Sequence, residues 1–269
     1  MNRVCAVLLA LLLFTPALTD AAPLLPGAPD SVPLLYVCAD GGAGQVCRDL
    51  SEFVQFVGGG KGVYEFDGVE LDLQYDVSGV FAYVVLSGIY NPDPSITFTA
   101  TTFNIGPGPI TYAFLFATPV VPGLYSEATS TGNVNVTNGE GGTATVAPSG
   151  VYPSFVSADG RAGAIPTNLG VDLGTAPCVA GPGPKFTVTV ACAQGTTASS
   201  YAPTFYDNLQ VLLTYTLDDL ASNAQFSGTV TLNAAAPEPA LVSFAGAALL
   251  GFGMRCRARR RPTDGPSPL

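Results

Sequence analysis

Four carboxylates stand close together in the chain: Asp67, Glu70, Asp72 and Asp76. Around them the residues alternate. Val69, Leu71, Leu73, Tyr75 and Val77 point one way, and Glu70, Asp72, Gln74 and Asp76 the other. In an extended strand that period places Glu70, Asp72 and Asp76 on one face. Such a ladder could hold Ca2+, which takes about six to eight oxygen ligands. It could also hydrolyse a glycoside, which needs two carboxyl groups roughly 5 to 9 Å apart. The same spacing is what a solvated strand face requires, and that plain role is the expectation here. A Ca2+- or glycan-binding module is the alternative, and a carboxylate-dependent glycan hydrolase stands behind it.

The other chemistry-bearing motifs read as architecture. Asp218-Asp219 and Asn91-Pro92-Asp93-Pro94 have turn composition. Gly58-Gly59-Gly60-Lys61-Gly62 lacks the Ser/Thr and the helix of a phosphate-binding loop, and so reads as a flexible loop. No Gly-x-Ser-x-Gly elbow occurs, and the chain has no histidine, which removes histidine triads, histidine general bases and histidine metal ligands. Asn135-Val136-Thr137 matches a glycosylation sequon. Tyr125, Tyr152, Tyr201 and Tyr206 could stack on sugar rings, with core packing or ordinary loop exposure the expected role. No catalytic residue, metal ligand or cofactor is assigned.

Charge narrows the partners. Charged residues make up only 11% of the chain, and five of the ten basic residues lie between Arg255 and Arg261. From Asp30 to Asp219 only Arg48, Lys61, Arg161 and Lys185 face seventeen carboxylates, a net charge near −13. Nucleic-acid binding needs cations that neutralise phosphates, so it is excluded.

The elements that would position these residues are strands. Low charge with many Thr, Val, Phe, Tyr, Gly and Pro is the composition of short strands and frequent turns. An apolar run from Val80 to Tyr90 ends at the Asn91–Pro94 turn. Ile96, Phe98 and Ala100 alternate with threonines, and Ile110, Tyr112, Phe114 and Phe116 share one face. Phe186, Val188, Val190 and Cys192 share another, as do Leu209, Val211, Leu213, Tyr215 and Leu217, and then Phe226, Val230 and Leu232. Residues 129–147 predict short strands or a long hairpin, and residues 161–184 one long surface connection. The pattern predicts an all-β fold: an antiparallel β-sandwich over residues 32–236, with a jelly-roll-like order among those it allows.

Four cysteines fall in this body: Cys38, Cys47, Cys178 and Cys192. An even number in an exported chain reads as disulfides, with three pairings open. Cys38 with Cys47 and Cys178 with Cys192 are favoured, because each closes a short local loop around glycine.

Both ends carry signals. Arg3, the apolar run Val4–Phe14 and small residues to Ala22 predict a secretory signal peptide over 1–22; the apolar run itself is too short for a span, which needs about 20 residues. Residues 23–31 follow as a linker. At the other end Pro237-Glu238-Pro239 precedes an apolar stretch, Ala240–Met254, and then Arg255, Arg257, Arg259, Arg260 and Arg261. That stretch predicts a short transmembrane helix of about 22 Å, with the arginines on the cytoplasmic side. A permanent single-span anchor or a lipid-anchor signal are the plainer readings. The order of these parts resembles the PEP-CTERM sorting signal of Gram-negative bacteria, over 237–261, with 262–269 left as a disordered tail. The stretch Asp93–Phe98 and the later Phe-rich alternation are similar to the bodies of many such proteins. The resemblance implies an exosortase as processing partner, a transient stay in the inner membrane, release to the cell surface or outside, and an exopolysaccharide-rich setting. The expected function is a non-catalytic envelope or extracellular-matrix protein with a structural or adhesive role.

Overall fold

The alternation becomes strand in a computed structural model that describes residues 33–57, 62–75, 79–140, 142–184 and 186–235. Its strands are β1 (Leu34–Asp40), β2 (Gln45–Asp49), β3 (Gln55–Phe56), β4 (Tyr64–Tyr75), β5 (Gly79–Asn91), β6 (Ser95–Asn104) and β7 (Ile110–Thr137). They continue as β8 (Ala144–Ala147), β9 (Val156–Ala162), β10 (Ile165–Asn168), β11 (Cys178–Ala180), β12 (Thr189–Leu217) and β13 (Asn223–Ala234). Among the described residues the single helical element is a 3-10 turn, Ser51–Phe53. The expected signal peptide, linker, sorting motif, transmembrane helix and tail lie outside the described residues. Among those that are described, no helix is long and apolar enough to cross a membrane.

The fold is all-β, antiparallel and sandwich-like. A straight strand of 28 residues, the length of β7, would reach about 90 Å, several times the radius of gyration of a domain this size. The long β7–β12 pair therefore bends from one leaf into the other. The bend falls where its register shifts, between Ser200 and Thr204 and between Tyr206 and Asn208, as bulges allow. In the first leaf, β7 residues 111–117 pair with β1, and β12 residues 208–213 pair with β9. In the second leaf the order runs β12, β7, β13, β6, β5, β4, β3, with β12 residues 189–200 against β7 residues 127–137.

Aromatic rings fill the space between the leaves. Phe116 of the first leaf stacks on Phe98 and Phe66 of the second, with ring centroids 4.8 and 6.1 Å apart. Tyr215 stacks on Phe226 at 4.7 Å. Two glycines make room for the rings. A Cβ on Gly228 would lie 2.9 Å from Phe98 Cζ, and one on Gly88 would lie 2.4 Å from Phe66 Cζ. Two buried phenols of this core are paired: the Tyr90 hydroxyl donates to Leu34 O at 2.9 Å, and the Tyr215 hydroxyl bonds Thr102 Oγ1 at 2.8 Å. Burial raises the pKa of both phenols.

Three expectations need correction. The apolar patterns over 186–192 and 209–217 are not separate strands. From Thr189 onward they are parts of one 29-residue strand, and Phe186 stands exposed before it with φ 60°. Residues 129–137 are the far part of β7, and only β8 follows as a short strand. Residues 161–184 are more than a surface connection: they hold the end of β9, then β10 and β11, and they bury Leu169, Val171, Leu173, Cys178 and Ala180. Asn138, itself buried, fastens the loops beside them. Its amide donates to Pro184 O at 2.8 Å and Gly183 O at 3.1 Å, and its Oδ1 accepts from Val188 N at 2.9 Å.

Both favoured disulfides are present. Cys38 and Cys47 face each other directly across β1 and β2, with Cα atoms 4.1 Å apart, and Cys178 joins Cys192 at 5.9 Å. Two disulfides fit an oxidising, extracellular location.

Candidate functional site

The inward residues of the second leaf are mostly apolar, and its outward residues alternate with them. On β6 these are Thr97, Thr99 and Thr101, and on β13 they are Gln225, Ser227 and Thr229. Thr131, Asn133 and Asn135 of β7 and Ala193 and Thr196 of β12 lie on the same face. The side chains are short, and over four neighbouring strands they leave a groove of about 430 Å³. Its polar lining is Thr97, Thr99, Thr131, Asn133, Thr196, Ser227 and Thr229, with no charged residue. The groups are held to one another across the strands. Thr97 Oγ1 and Thr229 Oγ1 are 3.1 Å apart, the Ser227 hydroxyl donates to Asn133 Oδ1, and the Asn135 amide donates to Gln225 Oε1 at 3.5 Å. The Asn135 sequon therefore sits within this face rather than on a loop.

Hydroxyls both donate and accept, and carboxamides carry both functions, so this surface matches a ligand made of hydroxyl groups. It offers neither the cations that phosphate needs nor the apolar walls of a drug-like pocket.

The acidic ladder lies further along the same face, on β4. Asp67, Glu70 and Asp72 are exposed, while Asp76 lies outside the described residues. A bulge between Phe66 and Val69 turns Asp67 outward, where its Oδ1 accepts from the Ser87 hydroxyl at 3.0 Å. The hydrogen bond between Tyr83 and Glu70 raises the Tyr83 pKa, with smaller contributions from burial and from the charges of Glu70 and Asp72. The carboxylates are thus spread along a strand, with Asp67 and Glu70 engaged with hydroxyls. Among the described residues no three such side chains converge on a cation position. Tyr83 also packs on Phe103 at 5.5 Å, a half-buried aromatic pair in register with Asp72.

The tyrosines singled out from the sequence do not form a platform. Tyr125 and Tyr206 are buried where the long strands bend, 6.4 Å apart, and Tyr201 meets Tyr206 edge-on at 6.2 Å. Asn91 and Asp218-Asp219 shape turns as expected. Asn91 Oδ1 accepts from Asp93 N at 3.0 Å, and Asp218 Oδ1 accepts from Thr145 N at 2.6 Å. The Gly58–Lys61 part of the glycine loop lies outside the described residues.

Two features were not singled out beforehand. The hydroxyl face was legible only as the polar half of each alternation, because its assembly depends on long-range strand order. The other is Asp159 on β9, whose pKa is raised first by burial and then by the charge of Asp172, against a lowering from Arg161.

No family model and no curated protein matches the chain. Among solved structures, TmCBM61 in complex with β-1,4-galactotriose is similar over 56% of this chain and 88% of its own, at 7% identity and a TM-score of 0.24. A likeness that low carries no argument about fold or ligand.

Proposed function

We propose that this is an exported, non-catalytic envelope or matrix module that adheres by binding uncharged polysaccharide on the outer face of its second leaf. One observation carries the reading: an uncharged, hydroxyl- and amide-lined groove on a body whose net charge is near −13. Sugar hydroxyls can exchange hydrogen bonds with such a surface without the desolvation cost of a buried charge. The two disulfides support an oxidising destination. Sorting by Pro237-Glu238-Pro239 and the arginines at 255–261, processing by an exosortase and a passing stay in the inner membrane complete the proposal. A jelly-roll-like winding, with two long strands shared by both leaves, is part of it.

The test is affinity electrophoresis of the exported protein through gels carrying neutral, anionic or cationic polysaccharides. Retardation by a neutral polymer is expected, with at least a tenfold loss in the Asn133→Ala/Ser227→Ala double variant at unchanged melting temperature. Equal mobility in every gel sinks the reading.

A further inference from the structure

The groove is not the whole of the polar face. A second cavity of about 290 Å³ lies at the β3–β4 end of the same leaf, lined by Phe53, Gln55, Val57, Glu65, Asp67 and Glu70. Phe53 and Val57 are 45% and 53% exposed. Two continuous rows of outward side chains join it to the groove. In one, Glu65 faces Ile89, Ile89 faces Thr97, and Thr97 faces Thr229. In the other, Asp67 bonds Ser87, Ser87 faces Thr99, Thr99 faces Ser227, and Ser227 bonds Asn133.

We infer that the ligand is a single extended chain of uncharged sugars that crosses the strands, filling the groove and the β3–β4 cavity together. The inference rests on the glycan reading above and adds the form of the ligand. Seven strands lie between β3 and β12 inclusive. At ~4.8 Å per strand spacing the path is about 29 Å, room for roughly five or six sugar units. At the other end β12 residues 189–200 pair only with β7 among the described residues, so no strand walls the groove and a long chain can run off it. The exposed Phe53 ring supplies an aromatic surface at the β3–β4 end of the path, beside the exposed aliphatic Val57 and Ile89, and can stack on the flat face of a sugar. Glu65, Asp67 and Glu70 accept hydrogen bonds from hydroxyls and repel an anionic polymer. Successive strands also rotate by about 20 to 25°. A face twisted that far cannot lie on a flat insoluble array, whereas one flexible chain can follow it.

Calorimetry of the exported protein with linear gluco-, manno- and galacto-oligosaccharides of two to eight units tests this. In a series that binds, the Kd is expected to fall at least tenfold between trimer and hexamer. Phe53→Ala should return the hexamer to the Kd of the trimer and leave the trimer within twofold. Ser227→Ala should weaken both alike. If trimer and hexamer bind equally, or Phe53→Ala changes neither, the extended site is wrong while the groove stands. If insoluble fibres capture the protein more tightly than soluble chains, the single-chain form is wrong. If no oligosaccharide or polysaccharide binds, the groove reading falls and takes this one with it.

Discussion

The strands β7 and β12 each live in two environments. In β7, residues 112–118 are buried without a break, on both faces, whereas residues 127–137 bury only alternate side chains. In β12 the contrast is sharper: residues 208–211 are all buried, and no residue from Thr189 to Phe205 is. The backbone pairing is continuous apart from the bulges at the bend and one register shift between Ala193 and Gly195. Pairing alone therefore does not decide what a strand contributes. The inner parts, Val-, Leu- and Phe-rich, hold the two leaves together. The outer parts, built of Thr, Ser, Ala, Asn and Gly, present a hydroxyl surface that costs little to hydrate and remains available to a ligand.

The first way to break this contrast is to cut the same strand in each environment. Phe116 is fully buried and stacks on Phe98, Phe66 and Phe114. Phe116→Ala should cost about 3 to 5 kcal/mol, through lost transfer energy and the cavity left behind. Thr131→Ala, fifteen residues along the same strand, should stay within about 0.5 kcal/mol. Denaturant titration of both variants reads the difference. Similar losses would mean that the outer part of β7 is packed in a way its exposed threonine does not reveal.

A second measurement asks whether the outer part of β12 depends on its disulfide. Cys192 lies within the exposed stretch, and its partner Cys178 is fully buried. Replacing both cysteines by serine should remove about 3 kcal/mol, the chain-entropy value for a loop of this length. Hydrogen exchange should then show amides at 189–200 losing protection first, while 208–217 keep theirs, because the buried part opens only with the whole domain. Uniform loss across the strand would show that β12 behaves as one unit.

This division also explains what could be read from the residues. Ile96, Phe98 and Ala100, and likewise Leu209 to Leu217, announce strands because one face is wholly apolar. The outer part of β7 reads as separate short strands or a hairpin rather than as the continuation of one strand, because its inward positions are Ala128, Ser130 and Gly132 before Val134, so the apolar signal fades while the strand continues. In 161–184 the period-2 signal of Leu169, Val171 and Leu173 was available, but Gly and Pro on either side concealed it. The cysteine pairs were legible because short loops favour them. The groove was not, since Thr131, Thr97 and Thr229 become neighbours only through the order β7-β13-β6, which no local pattern encodes.

The smallest expected effect lies at the margin of the buried part of β12, where Asp159 faces Gln210. Burial and then the charge of Asp172 raise the Asp159 pKa, and Arg161 only partly opposes this. A carboxyl that holds its proton more tightly when folded stabilises the fold below its unfolded pKa, about 4, and that contribution is lost as pH rises through the folded value. At neutral pH the ionised group is therefore a mild liability. Asp159→Asn keeps the shape and removes the charge, and should raise the melting temperature by about 1 to 3 °C at pH 7. The gain should shrink toward zero below pH 4, where the native carboxyl is already protonated. A lower melting temperature at pH 7 would instead mean that Arg161 outweighs burial and that this margin relies on its charge.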